Sequence, residues 1–148
     1  MRHPNTIALV PHQRKLQSYL DFVIDQRSLA DHLLPKRTLP FDFISPFGWP
    51  GDLGRDLAAA AAARLLRKAP PDLPTGRYSL LVCPECADLG CGAVSAIIER
   101  QHDLIVWHSF GFETNSAPNQ LDLESFVHVR EFAFRADRYS ALFQPYLR

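Results

Sequence analysis

The chain has no excess of charge of either sign and no apolar run long enough to cross a membrane. Sixteen basic and sixteen acidic side chains balance within 148 residues, whereas proteins that bind nucleic acid through its phosphates need a basic surface. A membrane helix needs roughly 18 consecutive apolar residues, and the apolar stretch near the amino terminus stops after four residues at Pro11 and His12. We therefore expect a cytoplasmic protein without a signal peptide, with no nucleic-acid partner and no membrane partner.

Motifs of the common enzyme classes are also absent from the sequence. There is no G-x-S-x-G, no Walker loop, no G-x-G-x-x-G and no H-E-x-x-H, which are the patterns that serine hydrolases, nucleotide-binding enzymes and many zinc proteases require. The histidines are scattered and include no pair at metal-binding spacing; they are His3, His12, His32, His102, His108 and His128. We predict no catalytic residue, and we expect His108 to be a satisfied core or edge histidine rather than a base.

Cysteine is scarce, and all of it lies in one loop. Cys83, Cys86 and Cys91 form a C-x2-C-x4-C pattern with Pro84 between the first pair. An odd number of cysteines in a reducing compartment argues against a disulfide framework. Two cysteines separated by two residues can direct both sulfurs to one centre, so the loop is a candidate site for structural zinc, with Cys83, Cys86 and Cys91 as ligands.

Zinc prefers four ligands, and this loop supplies three. Topology could bring in a histidine from elsewhere, or a nearby carboxylate could complete the shell; the candidates are His12, His32, His128, Glu85 and Asp88. Two alternatives stay open. The CPEC pattern also occurs in thioredoxin-like redox proteins, although glycine at positions 90 and 92 opposes the helix that such a site needs. Alternatively, the cysteines are simply small residues that line a tight loop.

An apolar content of 47% and a charged content of 22% are ordinary for a folded domain, and the pattern along the chain predicts an α+β fold. We expect a single domain over residues 1–148, with a mainly antiparallel sheet built on a central hairpin at about 78–113. An alanine-rich helix at 52–68 and a carboxy-terminal helix at about 137–144 should cover the sheet. Further elements are predicted at 7–10, 19–24 and 126–134 as strands and at 28–34 as a helix.

Both faces of the central hairpin are apolar, so its strands should lie mid-sheet with cover on both sides. If Glu99 faces Leu104, the register places Ser95 opposite His108 and Cys91 near Phe112. In that register Phe110 shares a face with Val106, and the charged ends Asp103 and Glu113 should be solvated.

Residues 35–54 combine four proline interruptions with several large apolar side chains, among them Phe41, Phe43, Ile44, Phe47 and Trp49. A loop of this kind either packs across the core or presents itself to another protein. For the second case, Phe47 and Trp49 are the predicted partner-binding residues, as aromatic anchors in a partner's cleft.

The segment CPECADLGCGAVSAIIER with the following IVWHSFGFE resembles a group of small, uncharacterised bacterial proteins. The shared features are a cysteine-rich loop ending in Gly90-Cys91-Gly92, a following strand, and a W-x-x-F strand formed here by Trp107 and Phe110. The resemblance extends over roughly the last half of the chain and implies no particular activity.

Two functional hypotheses follow. The first is a non-enzymatic cytoplasmic protein-interaction module. An immunity-type protein, which neutralises a toxin by blocking it sterically, is the form of this hypothesis that we consider. The second is a zinc- or thiol-dependent enzyme centred on the three cysteines. The first hypothesis is preferred because the sequence has no catalytic motif and contains the aromatic loop. Three thiolates would make zinc-bound water a poor acid, so a zinc ion at the cysteines would have a structural role.

Overall fold

Two antiparallel sheets carry the fold of this protein, seen in a computed structural model that describes residues 3–14, 16–34, 42–117 and 119–148. The first sheet has the order β1-β2-β3, and the second has the order β4-β5-β6-β7. The strands are β1 (Ile7–Arg14), β2 (Gln17–Ile24), β3 (Arg27–Ser28), β4 (Tyr78–Val82), β5 (Ala93–Gln101), β6 (Leu104–Glu113) and β7 (Phe132–Arg135). The helices are α1 (Leu29–Leu33), α2 (Gly51–Leu65) and α3 (Ala136–Phe143). The predicted α+β class is confirmed.

One hydrophobic core draws on both sheets and on α1, α2 and α3. Helix α2 is the predicted alanine-rich helix; its alanines at 58, 61 and 62 are buried and leave a slim helix that can approach the sheet closely. Tyr139 of α3 joins three elements at the centre. Its hydroxyl donates to the carbonyl of Leu65 (2.8 Å) and accepts from Nε1 of Trp107 (3.1 Å). The predicted cover of the sheet by these two helices is therefore confirmed.

The central hairpin is formed by β5 and β6, which are the two inner strands of the second sheet. Its register differs from the predicted one by two residues, because Gln101 rather than Glu99 faces Leu104. The turn holds only two residues, with His102 at a φ of 59°. A positive φ at this position favours glycine or asparagine, and neither is present to signal so short a turn.

A β-bulge in β6 also changes which side chains face the core. Ser95 pairs with Gly111 whereas Ile97 pairs with His108, so β6 holds one extra residue, and Ser109 takes a φ of 56°. The extra residue turns Phe110 into the main core, where its ring centre lies 5.6 Å from that of Phe132. The prediction that Phe110 shares a face with Val106 was therefore wrong.

The buried end of β6 is charged. Glu113 is 1% exposed and Arg77 is 4% exposed, with 3.2 Å between Arg77 Nε and Glu113 Oε2. Thr75 and Ser95 donate hydroxyl hydrogen bonds to the same carboxylate at 2.6 and 2.7 Å. Arg77 also donates to the carbonyl of Ser109 and so holds the bulge in place. The prediction of a solvated Glu113 was wrong, because three polar groups, the Arg77 guanidinium and the hydroxyls of Thr75 and Ser95, replace the water.

Two further predicted elements differ in extent. Strand β1 continues through Pro11, which an edge strand tolerates because its outer N–H groups need no ladder partner. The strand predicted at 126–134 is reduced to β7. Residues 124–126 form a 3-10 turn, and the N–H groups of Val127 and Val129 then donate to the carbonyls of Glu124 and Phe126 rather than to a neighbouring strand. The carboxylate of Asp122 accepts from the backbone N–H and the hydroxyl of Ser125, and this local bonding competes with a strand.

In the described part of the chain, no helix has the length and apolar character needed to span a membrane.

Candidate metal centre

The cysteine loop joins the ends of β4 and β5 and folds back on itself through backbone hydrogen bonds. The N–H of Ala87 donates to the carbonyl of Cys83 (2.9 Å), and Ala87 itself has a φ of 57°. A short 3-10 turn, Leu89–Cys91, follows, and the carboxylate of Asp88 caps it by accepting from the N–H of Gly90 at 2.8 Å. These two turns bring Cys91 back beside Cys86.

The loop ends at a glycine that the packing requires. Gly92 has a φ of 102°, a conformation that L side chains rarely adopt. A Cβ at this position would lie 2.3 Å from Cζ of Phe112. The ring of Phe112 therefore packs directly against the backbone where the loop rejoins the sheet, and the cysteine loop is anchored at that point.

All three predicted metal ligands come together. The sulfurs of Cys83, Cys86 and Cys91 lie within 4.8 Å of one another, and the Cys86 and Cys91 sulfurs are 3.5 Å apart. Tetrahedral zinc with bonds of 2.3 Å would hold its sulfurs about 3.8 Å apart. Cys86 and Cys91 are exposed and Cys83 is half-buried. The cluster is therefore able to bind a thiophilic metal ion, and it is open to solvent on one side.

Hydrogen bonds within the loop shift the pKa values of two of the thiols in opposite directions. The N–H of Asp88 donates to the sulfur of Cys86 (3.4 Å), and this bond together with the contact to Cys91 lowers the pKa of Cys86 below its usual 9.0. The bonds from Cys91 to Cys86 and Cys83 favour the protonated form and raise the pKa of Cys91 to about 11. Since metals bind thiolates, loading the cluster must release protons.

The described residues provide no fourth ligand that joins the three sulfurs. The imidazole of His32 contacts the carbonyl of Ile24 (2.7 Å), and that of His128 contacts the carbonyl of Leu33 (2.9 Å). Asp88, a local candidate, is engaged as the turn cap. The eleven residues outside the described ranges contain no Cys, His, Asp or Glu.

Both ring nitrogens of His108 have hydrogen-bond partners on neighbouring side chains, as the sequence suggested. Its Nε2 lies 2.9 Å from Oε2 of Glu99 and its Nδ1 lies 2.8 Å from Oγ of Ser109. These three side chains line an open groove of about 580 Å³. This part of the hairpin is thus open to solvent rather than covered on both sides, and the bulge at Ser109, which no sequence pattern signalled, creates the arrangement.

The two predicted partner-binding aromatics have different surroundings. Phe47 is fully buried, with its ring centre 5.8 Å from that of Phe22 and 5.5 Å from that of Phe143. The prediction of Phe47 as an exposed anchor is corrected: it belongs to the core. Trp49 is half-buried, and its Nε1 donates to the carbonyl of Ser45 at 2.8 Å. Residues 35–41 of the aromatic loop lie outside the described residues.

Trp49 lines a groove that reaches the cysteine loop. The groove has a volume of about 870 Å³ and includes Pro84 and Glu85 of that loop. Two of its lining residues are exposed apolar side chains, Leu16 at 99% and Leu53 at 72%. Sequence reasoning missed both leucines, because a single leucine does not reveal from the sequence whether it is buried or exposed.

Comparison with known proteins found no matching family model, no matching curated protein and no matching solved structure.

The CPEC segment is followed by a turn and a three-residue 3-10 helix. A thioredoxin-like site places its first cysteine at the start of an α-helix, where the helix lowers the thiol pKa. Cys83 has no such helix after it in the described loop, so the arrangement favours a metal-binding knuckle over the thioredoxin-like alternative.

Proposed function

We propose that the protein is a non-enzymatic, cytoplasmic protein-interaction module whose cysteine loop holds a structural zinc ion. The observation that carries the metal assignment is the convergence of three sulfurs within 4.8 Å. Soft thiolate ligands select zinc among the abundant divalent metals. Free thiols at this density suit a reducing compartment, which supports the cytoplasmic assignment.

Zinc at this position would tie together the ends of two neighbouring strands. Cys83 directly follows β4, and Cys91 lies two residues before β5. The metal would thus close a loop that otherwise depends on its two turns and on the contact between Gly92 and Phe112. Because a structural metal binds the folded chain far better than the unfolded one, its binding energy adds to the stability of the fold.

Metal analysis combined with thermal unfolding tests the zinc proposal. We expect one zinc per chain after purification, a lower Tm after treatment with a chelator, and recovery when zinc is restored. Cys83→Ser should bind no zinc and should show no response to chelator, which makes it the matched control. Absence of zinc together with an unchanged Tm in the three Cys→Ser variants would leave the cysteines as ordinary loop residues.

For the interaction proposal, the supporting feature is the groove beside the cysteine loop. Trp49, Leu53 and Leu16 offer apolar surface there, next to the polar Glu85. An apolar centre with a polar rim is the usual composition of a protein-binding patch. In an immunity-type protein, such a patch would occupy the toxin and block it sterically.

The interaction proposal is tested by capturing partners from the source cell with the tagged full chain. Leu53→Glu should reduce recovery of a specific partner by at least about tenfold, since a buried charge opposes apolar contact. Val127→Glu is the matched control, because Val127 is 78% exposed and is not among the residues lining this groove. Equal recovery with both variants would remove this groove from the proposal.

The exposure of Cys86 and Cys91 favours a second candidate, a zinc- or thiol-dependent enzyme. A catalytic zinc keeps a position open for water or substrate, whereas a structural one is closed. The two cases differ in how the metal is linked to folding. If the protein retains its Tm when zinc is removed while added ligands alter the spectrum of a cobalt-substituted site, the enzyme candidate is preferred.

A further inference from the structure

Cys86 and Cys91 are placed closely enough to bond to each other. Their sulfurs are 3.5 Å apart, and both side chains are exposed. A disulfide has an S–S length of about 2.04 Å, so the sulfurs need to approach by only about 1.5 Å. The two residues lie on a surface loop in which every residue from 83 to 91 is exposed or half-buried.

We propose that Cys86 and Cys91 are a modification site at which a hydroperoxide is reduced and an intramolecular disulfide forms, displacing the bound metal. The displacement rests on the zinc function proposed above; the disulfide itself does not. The loop would thereby exist in two exclusive forms, one closed by metal and one closed by a covalent bond.

The chemistry needs only the two thiols and the peroxide. One sulfur, as thiolate, attacks a peroxide oxygen; the O–O bond breaks and the leaving oxygen departs as water or an alcohol after taking a proton. The attacking cysteine is then a sulfenic acid. The second sulfur attacks the sulfenic sulfur, forms the S–S bond and expels the hydroxyl group as water. In total, two thiols are oxidised by two electrons and one hydroperoxide is reduced.

Metal loss follows from the number of ligands that remain. Of the three sulfurs in the cluster, only Cys83 stays a thiolate after the bond forms. The described residues add no further ligand to this group, and one thiolate is not enough to retain zinc. The exposed side of the cluster also gives a peroxide direct access to Cys86 and Cys91.

Peptide mapping of the zinc-loaded full chain treated with hydrogen peroxide tests the proposal. We expect the intact mass to fall by about 2 Da, for two hydrogens, and one zinc per chain to be released in step with that change. The tryptic peptide 78–100 holds all three cysteines, and cleavage after Glu85 and Asp88 places each on its own fragment. The expected crosslink joins the Cys86 and Cys91 fragments, and dithiothreitol should reverse it.

Variants make the assignment specific. Cys83→Ser should still form the crosslink, whereas Cys86→Ser and Cys91→Ser should not lose 2 Da. A bond to Cys83, a crosslink between chains, or stable oxygen adducts on single cysteines would overturn the assignment. If the bond forms while zinc stays bound, the displacement is refuted. If the chain never binds zinc yet forms the bond, the zinc function fails and the modification site stands.

Discussion

Replacing Glu113 by Gln should test whether the buried charge network at the end of β6 stabilises the fold. The substitution keeps the side-chain size and leaves an oxygen to accept from Thr75, but it removes the negative charge opposite Arg77. Arg77 is 4% exposed, so its guanidinium would stay buried without a counter-charge. Burial already lowers the pKa of Arg77 and the neighbouring Glu113 opposes that shift, although the group remains charged at neutral pH.

The expected loss is large for a single substitution. Removing one partner of a buried ion pair costs about 3–5 kcal/mol in the free energy of unfolding. For a domain of this length, 1 kcal/mol corresponds to about 2–4 °C in Tm, so Glu113→Gln should lower Tm by about 6–20 °C. Urea denaturation followed by circular dichroism measures the free energy directly, and calorimetry measures the Tm.

Glu99→Gln is the matched control, because it removes a carboxylate that also faces a basic side chain but is 50% exposed. An exposed pair contributes about 0–1 kcal/mol. If Glu113→Gln costs no more than this control, the network contributes no more than a surface pair. A double variant, Arg77→Met with Glu113→Gln, should recover part of the loss, since no unpaired charge would then be buried.

Three further outcomes are expected. Tyr139→Phe removes a hydroxyl that pairs with a buried indole N–H and a buried carbonyl, and it should cost about 1–3 kcal/mol in urea unfolding; a smaller effect would mean that water replaces the hydroxyl. Gly92→Ala should lower Tm and weaken zinc binding, because its Cβ would overlap Phe112 at a positive φ; unchanged metal affinity would contradict the anchoring role. Burial alone would raise the pKa of Asp25, but hydrogen bonds from Thr6 and Asn5 outweigh it and lower that pKa below 3.8. Its contribution is therefore present above about pH 3.8 and disappears as the pH falls through the lower folded value. Asp25→Asn should be less stable than the parent at neutral pH, and the difference should vanish in strong acid; a constant difference would refute this.

The elements that sequence reasoning recovered are those with strong local signals. Six consecutive alanines between acidic and basic ends specify α2, and two apolar runs specify β5 and β6. The convergence of the cysteines also follows from local spacing, since Cys83, Cys86 and Cys91 lie within nine residues. Local spacing and composition are enough in these cases because the partners are neighbours in the chain.

The features that were not predicted depend on backbone conformations that cannot be inferred from the residue types. Non-glycine residues at positive φ form the turn at His102 and the bulge at Ser109, and each changes the register or the face of β6. Glu113 resembles a solvated strand end until Arg77 and Ser95 are placed against it by tertiary contacts. The exposure of Leu53 likewise depends on which side of α2 meets the sheet.

Within each sheet, neighbouring strands are consecutive in the chain, so residues 7–28 and 78–135 can each assemble without waiting for distant segments. Such nearest-neighbour order shortens the loops that must close and favours rapid folding. Asn5 links segments near the two ends of the chain, since its side-chain oxygen accepts from the N–H of Ala133, 128 positions away. Because loop closure costs more for distant segments, we expect this contact to form after the strands of each sheet have paired.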